Sequence, residues 1–137
     1  MRDYQIHKSA GVLIDNKKLL VEKSFNKKSY LAPGGKIDQD ETPKEALVRE
    51  LMEEIQIKVE EKDLKEFGIF IRNASGQKHK LVKMEVYLVQ KWEGNPTPSN
   101  EVEDIRWINS QIPSDIKVGS IFEQEIIPRL KKQNLID

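Results

Sequence analysis

Residues Gly35–Ile57 read GKIDQDETPKEALVRELMEEIQI. Thr42 can cap a helix, Pro43 suits its first position, and Glu45 stands three residues beyond Thr42. That is a capping box with proline at the first helical residue, and it predicts a helix from Thr42 to Ile55. Leu47, Leu51 and Ile55 recur every four residues with Val48 and Met52 beside them, so one face is apolar. The opposite face is dense in charge. Spacings of three and four put Glu50 beside both Glu53 and Glu54. Three carboxylates on one stripe repel one another, and a divalent cation would hold them. Oxygen-only ligands suit Mg²⁺ or Mn²⁺. Zinc would bring His or Cys, and the chain has two scattered histidines and no cysteine.

An E-x-x-E-E run is also common on solvated helix faces, where Arg49 would merely pair with Glu45 and Glu53. Two features weigh against that plainer reading. Pro33-Gly34-Gly35 lies immediately upstream, and paired glycines let backbone approach a ligand or metal closely. The second is the spacing of the whole: five residues from Gly35 to Glu41, seven more to Arg49-Glu50, then Glu53-Glu54 and Ile57.

This segment is similar to the Nudix box, G-x5-E-x7-R-E-U-x-E-E-x-G-U with U aliphatic. Every fixed position matches except one, where Gln56 replaces glycine. The flanks agree: an AGVLI strand precedes the box, Pro33-Gly34 abuts it, and EVEDIRW follows. The resemblance implies an α/β Nudix fold, a mixed β-sheet sandwiched between α-helices, with the box as loop–helix–loop. It implies hydrolysis of a nucleoside diphosphate linked to a further moiety. Carried over by position, Glu50, Glu53 and Glu54 are metal ligands, with the Gly34 carbonyl an additional one. Arg49 holds the glutamates by ion pairing, and Glu41 is structural. Glu53 is the first choice of catalytic base. Some family members use a later loop instead, which here points to Glu101, with Glu103 second. Glycine at position 56 would end the helix left-handed. Gln in that conformation costs roughly 1 kcal/mol, so this departure bears on stability more than on chemistry.

The rest of the chain is read more coarsely. Ser9–Ile14 and Leu19–Val21 form a hairpin about an Asp15-Asn16 turn. Lys23–Ser29 is a loop, and Tyr30-Leu31 a strand remnant. Leu64–Arg72, Leu81–Trp92 and Val102–Ile108 are strands, with a polar turn at Asn73–Lys80. Ser120 with Glu123 opens a C-terminal helix that Pro128 interrupts. Lys23 and Gly35 are candidates to meet a substrate phosphate. Tyr30, Phe25, Phe70 and Trp107 are candidates to stack on a base or to fill the core. His7 and His79 suggest no special role.

The chain of 137 residues fits one domain, 1–137. Lys+Arg and Asp+Glu are each 23, so the net charge is zero. That argues against a stable nucleic-acid or anionic-membrane partner, because both need excess cation. The absence of cysteine removes disulfides, thiolate metal sites and cysteine nucleophiles. No signal peptide or membrane span is expected, which gives a cytoplasmic address. The expected partner is a small nucleotide, and the assembly a monomer or homodimer.

The function expected is a MutT-like, metal-dependent pyrophosphohydrolase. An ADP-sugar or dinucleoside-polyphosphate hydrolase is the alternative within the fold. Removal of an RNA 5′-triphosphate or cap gains no support from the neutral charge. The isopentenyl-diphosphate isomerase relative is disfavoured because it uses a cysteine. A non-catalytic nucleotide sensor is the alternative from another class, and intact box glutamates argue against it.

Overall fold

Two strands far apart in sequence run side by side in the same direction. β1 (Ile6–Val12) pairs in parallel with β7 (Gln77–Val89), with Ile6 opposite Val82 and Val12 opposite Leu88. A parallel pair needs a long crossover, and the helix α1 (Pro43–Ile55) falls within it. β5 (Gly34–Lys36) and β6 (Leu64–Ala74) pair antiparallel at the outer sides, giving the mixed order β5-β1-β7-β6. A second sheet joins β2 (Ile14–Asp15), β3 (Lys18–Ser24) and β8 (Val102–Ile108). Short strands β4 (Ser29–Tyr30) and β9 (Lys117–Val118) form a third pairing. The structure, a computed structural model, describes residues 4–74 and 77–137, without the side chains of 74 and 77–79.

Strand alternation sends side chains to two cores. Ala10, Val12, Val21, Val82, Met84 and Val86 meet the C-terminal helical segment through Phe122, Ile126 and Leu130. Leu13, Leu20, Tyr87 and Val89 meet α1 through Leu47, Leu51 and Ile55. The strands are thus covered on both faces, which is the layered α/β arrangement expected from the box. Among the described residues no helix is long and apolar enough to cross a membrane.

α1 begins as its sequence dictates. Thr42 Oγ1 accepts from the Glu45 amide at 3.1 Å, and Glu45 Oε1 accepts from the Thr42 amide at 2.9 Å. It ends at Gln56, which is left-handed at φ 59° and ψ 37°, as the missing glycine requires.

Four local expectations shift. The first hairpin turns at Asn16-Lys17, both left-handed, rather than at Asp15-Asn16, because Asp15 pairs with Lys18. β6 and β7 stay paired out to Ala74 opposite Gln77, so the ladder extends into the segment Asn73–Lys80. The His79 side chain lies outside the described residues. β7 ends at Val89, and Trp92 packs instead at the margin of the α1 core.

The fourth concerns the last helix. The Gly119 carbonyl accepts from the amides of Phe122 and Glu123, so Ser120 already lies in the first turn and does not cap it. A π stretch, Phe122–Ile126, then leads into α2 (Ile127–Lys132). Pro128 lacks an amide, and its ring would strike the carbonyl four residues earlier. The wider turn, with the Ile127 amide reaching Phe122 O, carries the helix past it.

Candidate active site

The C-terminal half of α1 carries the acidic stripe. Arg49 sits at its centre and gathers its neighbours. Its Nε and Nη2 donate to the two oxygens of Glu41 at 2.7 and 2.9 Å. Its Nη1 donates to Glu50 Oε1 at 2.9 Å and to Glu53 Oε2 at 3.4 Å. The guanidinium, with help from the Asp38 amide, holds the Glu41 carboxyl down at about 2. Glu41 therefore belongs to a clamp on Arg49, which orients Glu50 in turn.

The two glycines make room. Gly34 has φ +148°, and a Cβ there would lie 2.1 Å from the Ser9 carbonyl. Its amide donates to Glu54 Oε1 at 2.9 Å. A Cβ on Gly35 would fall 2.6 Å from Glu50 Cδ. Backbone thus runs directly beneath the Glu50 and Glu54 carboxylates, as no larger residue would permit.

Glu54 is buried, and burial foremost raises its pKa. Glu50 is raised for the same first reason, with Glu53 and Glu101 adding repulsion. Glu22, on β3, is also buried. Its pKa too is raised, first by burial and then by the neighbouring Glu54 and Glu50 carboxylates.

Glu101 reaches the site through the proline-bearing loop. The Thr97 amide donates to the Ile55 carbonyl and the Ser99 amide to the Glu54 carbonyl, both at 2.9 Å. These bonds satisfy carbonyls at the end of α1 and dock the loop there. Asn100 turns left-handed at φ 55°, and the Glu101 charge then bears on both Glu50 and Glu54. Glu103 is engaged elsewhere, 2.7 Å from Lys23 Nζ.

An open cleft of about 500 Å³ is lined by Lys23, Lys27, Lys28, Arg106 and Lys117, with Tyr30 and Asp115. Tyr30 donates to Asp104 at 2.5 Å, and Arg106 stands 5.7 Å over its ring. Lys8 on β1 is within electrostatic range of Lys36 and Lys27 and of Glu54 and Glu50. Burial lowers its pKa. Of the candidate stacking residues, Phe70 is buried and Trp107 packs on the α1 core. Phe25 is exposed, and its amide donates to the Glu101 carbonyl at 3.0 Å.

Sequence reasoning missed Glu22, Lys8 and most of the cleft. Alternation offered one signal for Glu22: it shares a strand face with Leu20, two residues away. Among the described residues no three acidic or histidine side chains close around one point. The donors nonetheless fit a hard cation: all are oxygens, they repel one another, and Glu22 Oε1 is buried with no hydrogen-bond partner among the described residues.

The chain is similar to known proteins. The NUDIX domain family model matches residues 5–130. The 8-oxo-dGTP diphosphatase of Proteus vulgaris is 31% identical over 98 residues, covering 68% of this chain and 83% of that one. The 8-oxo-dGTP diphosphatase of Escherichia coli is 38% identical over 64 residues, 47% of this chain. That match spans about half the length of the E. coli protein, 46%. The MutT protein from Methanosarcina mazei Go1 superposes with a TM-score of 0.77 at 19% identity over 98% of both chains, which shows a common fold. With the box clamped by Arg49, the sheet order around it and a family match over nearly the whole chain, this protein belongs to the NUDIX family and is MutT-like within it.

Proposed function

We propose that the protein is a pyrophosphohydrolase that cleaves the diphosphate linkage of a nucleoside di- or triphosphate or a related nucleotide derivative, a triphosphate giving the monophosphate and pyrophosphate, with Mg²⁺ as cofactor and Mn²⁺ as a substitute. It acts as a single cytoplasmic domain, as monomer or homodimer. The observation that carries this is the stripe of carboxylates on α1, clamped by Arg49 and backed by glycine, in a chain that also opens a cleft lined by five cationic side chains. Such a cleft attracts polyphosphate, while the carboxylates repel it unless divalent cation intervenes. The names of the relatives, 8-oxo-dGTP diphosphatases, point to purine nucleoside triphosphates as the first substrates to try.

The division of labour follows from the geometry. Glu50 and Glu54, backed by Gly35 and Gly34, would hold the cation, with Glu53 and the Gly34 carbonyl completing the set. When bound, it neutralises phosphate charge and acidifies water. Arg49 holds Glu50 in place through the bond from Nη1 to Oε1. Lys23, Lys27 and Arg106 bind phosphate oxygens, while Tyr30, buried in the core and bonded to Asp104, supports the cleft floor. Glu53 is the more exposed carboxylate and Glu101 the one on a separate loop, so either can take the proton of the attacking water.

A nucleotide panel with Mg²⁺, read for phosphate and pyrophosphate separately, tests this. Pyrophosphate release that stops in excess EDTA is expected. Nucleotide binding with no hydrolysis of any panel member would replace the enzyme by a sensor. Full turnover in EDTA would end the metal mechanism.

A further inference from the structure

Glu22 is a carboxylate that the box does not account for. It lies on β3, outside Gly35–Ile57, and is only 5% exposed. The backbone around it is fully engaged: its amide donates to the Leu31 carbonyl at 2.7 Å, and its carbonyl accepts from Leu31 at 2.8 Å. Its Oε1 has no hydrogen-bond partner among the described residues. A buried acid retained for packing is ordinarily met by an arginine or by backbone amides. The ionisable groups that act on Glu22 are instead carboxylates, Glu54 and Glu50. Strand alternation explains the direction. Leu20 and Glu22 share the face of β3 that packs toward α1, and the next group on that line is the end of the acidic stripe.

We propose that Glu22 is a further protein ligand to the divalent cation held by the box glutamates, entering from the sheet opposite Glu54. A cation between the two turns their mutual repulsion into attraction and gives Oε1 a partner. The proposal rests on the reading of Glu50 and Glu54 as ligands. It adds one donor from β3, a strand that also carries Lys23 into the cleft, so the same strand would position both metal and phosphate.

The test is binding of Mn²⁺ alone, without nucleotide, followed by electron paramagnetic resonance of the free ion. The parent, Glu22→Gln, Glu54→Gln and Glu45→Gln are compared. Glu22→Gln is expected to weaken Mn²⁺ binding at least tenfold, with the metal-free melting temperature unchanged or raised. Glu54→Gln should weaken it likewise, and Glu45→Gln should not. If Glu22→Gln binds Mn²⁺ as tightly as the parent while Glu54→Gln is weakened, the proposal is overturned and the box reading stands. If the parent binds no Mn²⁺, both fall together. Crystals of the unaltered protein soaked in MnCl₂ give a readout that needs no variant. A Glu22 oxygen at coordination distance from the anomalous peak supports the proposal. A Glu22 carboxyl bonded only to Glu54 or water overturns it.

Discussion

Gly35 and Glu50 are mutually exclusive for space: a Cβ on the glycine would stand 2.6 Å from Cδ of the glutamate and 2.8 and 2.9 Å from its oxygens. The neighbour is a side chain, yet it is held on its far side by Arg49, so it cannot swing away without breaking that bond. Gly35→Ala should therefore displace the Glu50 carboxylate. We expect kcat/KM to fall at least about tenfold, ~1.4 kcal/mol of transition-state stabilisation. Stability should fall by about 1–3 kcal/mol, the usual cost of overpacking. Kinetics and denaturant unfolding of the variant check both.

Arg49→Lys should not be conservative. A lysine keeps the charge but cannot bridge both oxygens of Glu41 while reaching Glu50. Activity is expected to fall roughly 10–100-fold, as for lost partners of metal ligands. Restoration of full activity by lysine would show that charge alone suffices.

Glu101→Gln should lower kcat at least about tenfold, ~1.4 kcal/mol, with a smaller change in KM. Glu103→Gln should act on KM instead, because Glu103 is the partner of Lys23 in the cationic cleft. Equal activity of Glu101→Gln and parent across pH 6–9 would leave Glu53 as the base.

Gln56→Gly should raise the melting temperature. Relief of a left-handed Gln at φ 59° is worth roughly 1 kcal/mol. A lowered melting temperature would mean that contacts of the Gln56 side chain outweigh the backbone strain.

The metal-free protein should lose stability as pH rises. Glu54 and Glu50 have folded-state pKa values above the ordinary 4.5, so above that pH the folded state holds protons that the unfolded chain has released. Stability then declines as pH climbs from 4.5 through the raised values. Glu41 works in the opposite sense: its stabilisation is present above 4.5 and is lost as pH falls toward about 2. Thermal melts in EDTA from pH 5 to 9 should slope downward, and Mg²⁺ should flatten them. An upward slope in EDTA would contradict the burial of these acids.

The legible parts of this molecule were those decided within a few residues of chain. Thr42 and Glu45 cap α1 across three positions, Arg49 reaches Glu50 and Glu53 on one helical turn, and Gln56 must turn left-handed to leave the helix. Such contacts depend on spacing, and spacing is written in sequence. The misread details were close competitions. Asp15 joined the hairpin ladder rather than its turn, and Gly119 supplied the first helical carbonyl in place of a Ser120 cap.

What the sequence by itself determined is the box: the capped helix, its acidic stripe and the glycines before it, because local geometry places those groups whatever lies beyond. Only the tertiary structure decided that Glu22 would be buried against Glu54, that Ser99 would dock the Glu101 loop on the end of α1, and that lysines and an arginine from separate segments would line one cleft. Those relationships join residues tens of positions apart. They follow from strand register and from which face of each strand meets which helix, and a one-residue slip would send every such side chain to the other side of the sheet.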